Sequence, residues 1–267
     1  MELEQLLIND LRHINHLQPE GWDDISKNIQ TYCTQSFCYP IKISEANKII
    51  GVGALILFED SAWLAHIIVD KSHRGKGIGN RIVEHLVGKA TEKGFSTINL
   101  IATELGAPIY QKVGFKPVCN YLFFKKIEPW TPKKISSSVI TSKQEYYQSI
   151  LNLDMEITGE RRKELIYPYL SACMVYLVDQ NIEGYYLPGL GQGPIYAKTE
   201  RAGIALMELK YSTVDIAVLP EANETGVNFL IQNNFEIQKT TAIRMVYGIK
   251  KSWDPQHIFS RIGGNYG

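Results

Sequence analysis

The residues with the clearest chemical purpose are Arg74, Gly75, Lys76, Gly77, Ile78, Gly79 and Asn80. Three glycines in five positions let the backbone come close to a ligand and enter conformations that a Cβ forbids. Arg74 and Lys76 add positive charge. Such a turn, opening a helix, holds anions, because the first amides of a helix have no intrahelical partner and its dipole favours negative charge there. The expected ligand is a phosphate, a pyrophosphate first. Spacing excludes two common alternatives. Gly77 is followed by Ile78, not by the Lys and Ser or Thr of a P-loop, and Gly79 comes one position too early for G-x-G-x-x-G. A chance glycine turn ahead of a surface helix is the plain alternative.

This loop needs a strand to deliver it and a helix to follow it. Trp63 to Val69 is an apolar run rich in β-branched residues, as a buried strand requires. From Ile78, apolar residues recur at Ile82, Val83, Leu86 and Val87, one face of a helix. Upstream, Phe37 to Ile43 and Ile49 to Phe58 read as strands joined by short polar turns, an antiparallel meander. Downstream, Phe95 to Ala102 reads as a strand and Gly106 to Val113 as a short helix ending at Gly114-Phe115. At the N-terminus, Leu3, Leu6, Leu7, Leu11 and Ile14 fit a helical stripe, and Asp23-Asp24 can cap a second helix running to about Gln35. The order is mixed α and β.

Arg74-x-x-Gly77-x-Gly79, followed after the expected interval by Tyr110-x-x-x-Gly114-Phe115, resembles the GNAT acyltransferase superfamily over residues 1 to 127. The resemblance implies that acetyl-CoA is the acyl donor, with its pyrophosphate wrapped by Arg74 to Asn80. It implies that backbone N–H groups of Ile67, Ile68 and Val69 meet the pantetheine arm and polarise the thioester carbonyl. Tyr110 then falls beside the sulfur, placed to protonate the thiolate. His66, on the strand before the loop, stands where members often carry a base; Glu59, Asp60, Glu104 or a water are alternatives, and a structural histidine is another. Thr103 or Glu104 occupies the place of an asparagine that members often use toward pantetheine. Trp22, Tyr32 and Phe37 are candidate acceptor contacts or simply core aromatics. Direct transfer needs no nucleophilic thiol, so Cys119 is expected to be a core residue.

Composition narrows the class further. The chain has 267 residues, with 28 Lys plus Arg against 28 Asp plus Glu, so no overall field argues for nucleic acid or an anionic membrane. No stretch of 18 apolar residues occurs, and MELEQLLIND is acidic where a signal peptide is basic, so the cytoplasm is the expected compartment. Cys33, Cys38, Cys119 and Cys173 have neither C-x-x-C nor paired-His spacing, which implies no metal.

Residues 128 to 142, with Pro129, Pro132 and Ser136-Ser137-Ser138, read as a linker. Beyond it the pattern restarts: helix over Asp154 to Leu170, strands over Ala172 to Val178, Ile182 to Leu187 and Gln192 to Ala197, helix over Glu200 to Leu209, strand over Val214 to Leu219, helix over Glu224 to Asn233. The expectation is therefore two tandem GNAT-like α+β domains, 1–127 and 143–267, each a mostly antiparallel sheet flanked by helices. The second lacks Arg-x-x-Gly-x-Gly, has Leu230 where Tyr110 would stand, and resembles the accessory domain of some bacterial GNAT proteins. It is expected to bind no CoA and to serve as a wall of the acceptor site or a dimer contact, which leaves a homodimer open. Pro188 to Gly193 is a plain loop or a lid. The expected activity is direct transfer of an acetyl group from acetyl-CoA to a primary amine of a small molecule or amino-acid-like acceptor; a non-catalytic regulatory or scaffold protein that binds CoA or acyl-CoA is the alternative.

Overall fold

The computed structural model describes residues 2–130, 132 and 135–267. Two compact units emerge. The first comprises Met1–Pro117, Met245–Lys250 and Tyr266; the second comprises Val118–Arg244, Lys251–Asn265 and Gly267. This partition differs from one at 127 and 143, because the chain returns to its first unit near its end.

In the first unit, β1 (Glu2–Gln5), α1 (Ile25–Thr34), β2 (Cys38–Glu45), β3 (Lys48–Leu57), β4 (Ala62–Val69), α2 (Ile78–Glu92), β5 (Thr97–Thr103) and α3 (Ala107–Val113) follow in order. The sheet order is β1-β2-β3-β4-β5, antiparallel except for the β4–β5 pair. The segment 245–250 continues it beside β5: the Ser96 carbonyl accepts from the Ile249 N–H at 2.8 Å, and the Thr97 hydroxyl donates to the Ile249 carbonyl at 2.8 Å. α2 buries Ile78, Ile82, Val83, Leu86, Val87 and Ala90, the face read from the sequence. The meander strands match their predicted spans to within two residues, and α2 begins at Ile78 as read from the sequence.

The N-terminus does not. Glu2–Gln5 pairs with β2 as an edge strand, and Ile8–His13 and Asn15–Leu17 are 3-10 turns. Leu6, Ile14 and Leu17 are buried, whereas Leu7 and Ile8 are exposed, so the helical stripe was only a count. Pairing with β2 satisfies the backbone in a way that five apolar residues at helical spacing cannot reveal.

In the second unit the order is β6 (Lys116–Lys126, entering from the first unit), β7 (Val139–Thr141), α4 (Tyr147–Thr158), α5 (Lys163–Ile166), β8 (Met174–Val178), β9 (Asn181–Tyr186), β10 (Ile195–Ala197), α6 (Glu200–Tyr211), β11 (Ile216–Pro220), α7 (Glu224–Gln232), β12 (Phe235–Gly248, leaving for the first) and β13 (Ile258–Ser260). Strands β13-β10-β9-β8-β7 form one antiparallel sheet, and β11 pairs antiparallel with β6. A core of Phe124, Tyr176, Leu206, Met207, Tyr211, Leu219, Leu230, Phe235 and Phe259 lies between sheet and helices. The predicted continuous helix from Asp154 stops at Thr158, because Gly159 adopts a left-handed cap (φ 69°) and Pro168 starts a 3-10 turn. β7 lies inside the passage read as a linker. Across both units the fold is mixed α+β with sheets dominated by antiparallel pairs. Among the described residues no helix is long and apolar enough to cross a membrane.

Candidate active site

The anion loop is built as its glycines require. Gly75 and Gly77 sit at φ 76° and 77°, left-handed values that L side chains rarely adopt. Gly77 is the N-cap of α2, and no side chain caps the helix; its first turn carries no acidic residue. The Gly77 carbonyl accepts from the Arg81 N–H at 3.1 Å, so the helix begins there and the amides of Ile78, Gly79 and Asn80 precede its ladder. Residues 74 to 77 are exposed. No atom lies within 4 Å of a Cβ built on Gly75 or Gly77, so the backbone stands open to a ligand. An uncapped, unopposed, exposed helix start with two adjacent cations fits a diphosphate.

Asp70, which the sequence did not single out, pins the base of this loop. Its carboxylate accepts from the Ser72 N–H at 2.9 Å, the Ser72 hydroxyl at 2.6 Å and Lys48 Nζ at 2.8 Å. The Lys48 hydrogen bond and those from Ser72 hold the carboxyl well below the usual carboxylate range. His73 lies 3.3 Å away, and His16, whose ring nitrogen meets the Ile49 carbonyl at 2.8 Å, lies 3.6 Å away. His16 is thus part of the support.

Strand β4 presents its backbone beside the loop. The β4–β5 register holds only Ala62 opposite Ile98 and Trp63 opposite Asn99, although β4 runs to Val69 and β5 to Thr103. The two strands therefore part where Ile67, Ile68 and Val69 lie. The Asp70 N–H donates to Ile50 on β3 at 2.9 Å, so alternation turns the Val69 groups to the other, parted side. Arg74 Nε donates to the Val69 carbonyl there at 3.2 Å.

A bulge interrupts the other edge of β4. Val52 pairs with Ile68 but Ala54 pairs with Ala65, so Gly53 faces both His66 and Ile67. Gly53 is required: a Cβ there would lie 2.7 Å from Ile82 Cγ2. At the bulge His66 takes φ 49°, a left-handed conformation inside a strand. Its Nδ1 lies 2.8 Å from the hydroxyl of Tyr32 on α1. Trp22, 45% exposed, meets the ring edge-on with centroids 6.1 Å apart, and Tyr266 meets Tyr32 in the same way at 6.5 Å. Burial pushes His66 down to about 4, so the imidazole is neutral at physiological pH. Of the three aromatics named from the sequence, Trp22 and Tyr32 gather at His66; Phe37 packs with Phe58, ring centroids 6.3 Å apart. Tyr266, 234 positions from Tyr32, carried no signal in the sequence.

Tyr110 lies on α3, 9% exposed, its ring edge-on to Phe115 at 5.9 Å and against Gly106, where a Cβ would lie 3.1 Å from the ring. Burial raises its pKa, so the phenol keeps its proton. Thr103 Oγ1 accepts from the Gly106 N–H at 3.2 Å, making Thr103 a support for the start of α3. Burial also pushes the Cys119 thiol up, away from the reactive thiolate. Among the described residues no group of three or more metal-ligating side chains is assembled.

The second unit handles the matching positions differently. Thr199 caps α6, its hydroxyl accepting from the Ala202 N–H at 3.3 Å, and Glu200 fills the first turn. That helix start has its own partner and repels anions. The 188–193 loop is pinned: the Gln192 N–H donates to Ile262 at 2.7 Å, and Lys210 Nζ donates to the Gln192 and Gly193 carbonyls at 2.6 and 2.8 Å.

Residues 38–117, which contain the meander, the anion loop and α3, match the model of the acetyltransferase (GNAT) domain. Over these residues the chain is similar to that domain. An uncharacterized N-acetyltransferase of Bacillus subtilis (strain 168) is 24% identical over 166 residues, 61% of this chain and 58% of that one. Human N-acetyltransferase 8B is 33% identical over 122 residues, 42% of this chain and 52% of that one. The matched segments thus span little more than half the length of these relatives. Among solved structures, a Pyrococcus horikoshii protein assigned as an acetyltransferase superposes with TM-score 0.82 at 15% identity, over 100% of this chain and 95% of that chain. A GCN5-related N-acetyltransferase from Anabaena variabilis gives TM-score 0.60 at 9% identity, over 92% and 72%. At such identities the likeness is one of fold, and it extends beyond the GNAT domain to the second unit.

Proposed function

We propose that this protein is an N-acyltransferase that uses acetyl-CoA and moves the acetyl group directly to the primary amine of a small molecule. The observation that carries the reading is the open cradle at Arg74 to Asn80 beside a strand edge that has parted from β5. When bound, acetyl-CoA supplies an acyl group activated as a thioester. The amides of residues 75 to 80, with Arg74 and Lys76, hold the diphosphate, and the parted edge offers the backbone N–H groups of Ile67 and Val69 to the pantetheine arm and the carbonyl, while Ile68, which the resemblance also implied, is turned to Val52 on β3. Tyr110 holds a proton at its hydroxyl. The burial that raises its pKa also raises the need of a neighbouring thiolate for that proton, so the pair remains matched. His66 faces the acceptor amine under Trp22.

The second unit is read as a GNAT-like repeat that has lost CoA binding, on the strength of the Thr199 cap, Glu200 and Leu230. Calorimetry with acetyl-CoA and CoA, followed by release of free thiol in the presence of a panel of amines, tests the proposal. Saturable binding with amine-dependent thiol release is expected. Binding without release from any amine would leave a CoA-binding regulatory protein, and no binding would overturn the reading entirely.

A further inference from the structure

Resting on that function, we propose that His66 is a hydrogen-bond donor to the acceptor and not its base, and that Tyr32 is the positioning residue that makes it so. Nδ1 of His66 and the Tyr32 hydroxyl are 2.8 Å apart, so one of them donates. A phenol is a strong donor, and its oxygen is a poor acceptor because a lone pair is shared with the ring; an imidazole nitrogen is a strong acceptor. The favoured bond is therefore Tyr32 O–H to Nδ1. A neutral imidazole has one N–H, and with Nδ1 accepting, that hydrogen sits on Nε2.

Three further observations agree. Tyr32 is buried on α1 and lies against Nδ1, so the Nε2 side of the partly exposed His66 ring is turned away from Tyr32, and Trp22 meets that ring edge-on. Among the described residues Nε2 has no hydrogen-bond partner. The ring is aimed by a strained residue, left-handed at φ 49°, set in a bulge opposite Gly53. A bulge that re-aims one side chain and fixes it with one hydrogen bond points to recognition. The acceptor class that suits an N–H donor is an amine with a carbonyl or carboxylate oxygen close to it, such as an amino-acid amide, in preference to a plain alkylamine. Proton removal from the amine then falls to water.

The direct test is the tautomer. The full chain labelled with 15N-histidine is compared with His66→Gln, which removes one of the six histidines and so assigns the signal. At pH 7.5, Nε2 of His66 is expected to show the shift of a protonated nitrogen and Nδ1 that of an unprotonated one, and Tyr32→Phe is expected to mix the two tautomers. Kinetics give the second test, because Gln keeps an N–H near the place of Nε2 and cannot act as a base. Loss of one neutral hydrogen bond lowers kcat/KM about 2- to 12-fold, whereas loss of a base lowers it about 10²- to 10⁴-fold. His66→Ala is expected to fall in the first range with glycinamide and to abolish the preference for glycinamide over propylamine. His66→Gln is expected to keep most of both. A protonated Nδ1 in an active enzyme, or His66→Gln as impaired as a base-deficient His66→Ala, would overturn this role alone. Absence of transfer to any amine would overturn the function and the role together.

Discussion

Substitution of Gly77 by alanine isolates the backbone's part in the proposed binding of CoA. Gly77 sits at φ 77°, and no atom lies within 4 Å of a Cβ built there. The methyl group therefore meets no steric obstacle, and the entire penalty is that of a left-handed L-residue, about 1–2 kcal/mol. The protein has two ways to bear it. If the loop keeps its shape, the folded state loses that stability, and the melting temperature falls by about 2–8 °C for a chain of this size. If residue 77 instead turns to negative φ, the amides of residues 78 to 80 rotate away, and ligand binding must restore them, raising the Kd for CoA about 5- to 30-fold. The two losses share one origin, so together they should amount to about 1–2 kcal/mol. Gly88 provides the control, because it lies inside α2 with helical backbone and equally open space. Gly88→Ala should raise stability by about 1 kcal/mol, as in any helix interior, and leave the Kd unchanged. Differential scanning calorimetry and titration calorimetry on the two variants measure both quantities. If Gly77→Ala matched the wild type in both, the conformation assigned to this loop, and the cradle with it, would be refuted.

Three other outcomes follow from the structure. Tyr110→Phe removes a proton donor and little packing, so kcat with acetyl-CoA should fall about 10²-fold or more with an unchanged melting temperature; an unchanged kcat would exclude the phenol as the acid. In the second unit, Arg162 donates Nε and Nη2 to buried Asp154 at 2.9 and 2.8 Å, and the Tyr185 hydroxyl also donates to Asp154. Arg162→Met should cost about 3–5 kcal/mol by stranding the carboxylate, and Arg162→Met with Asp154→Leu should recover much of that, as read by urea denaturation. Lys210 is buried with its Nζ bonded to two carbonyls and to Ser260 Oγ at 2.6 Å, and desolvation pushes it down to about 7 from 10.5. Between these values the unfolded chain holds the proton more firmly than the folded one, so stability should rise with pH from about 7 toward 10 and level off below 7. Denaturation at stepped pH should show this slope in the wild type and its loss in Lys210→Met.

The parts of the site that were legible in the sequence are local. Residues 74 to 80 carry their own conformational demand in their glycines, and the strand before them and the helix after them announce themselves through β-branched residues and a helical period. What escaped the sequence is set by pairing at a distance. Nothing in Ala62 to Val69 marks His66 as left-handed; the cause is Gly53, across the sheet, which must be small to pass under Ile82. Tyr32 meets His66, and Tyr266 meets Tyr32, only because strand pairing folds the chain back. Asp70 looked like the end of a strand, yet it anchors the loop through Lys48 and Ser72. At the N-terminus the reverse error arose, since a helical count at Leu3, Leu6, Leu7, Leu11 and Ile14 ignored the open edge of β2, which takes residues 2–5 as its neighbour.

The first unit includes residues 245–250 and Tyr266. On the ribosome, its strand β5 must therefore wait, with one flank bare, while more than 140 further residues are translated, and only then can Ile249 reach Ser96 and Thr97. The aromatic cluster at Tyr32 and His66 is completed by Tyr266 only after the second unit has emerged. Nascent chains arrested before residue 245 should be sensitive to protease and bound by chaperones, however complete their anion loop.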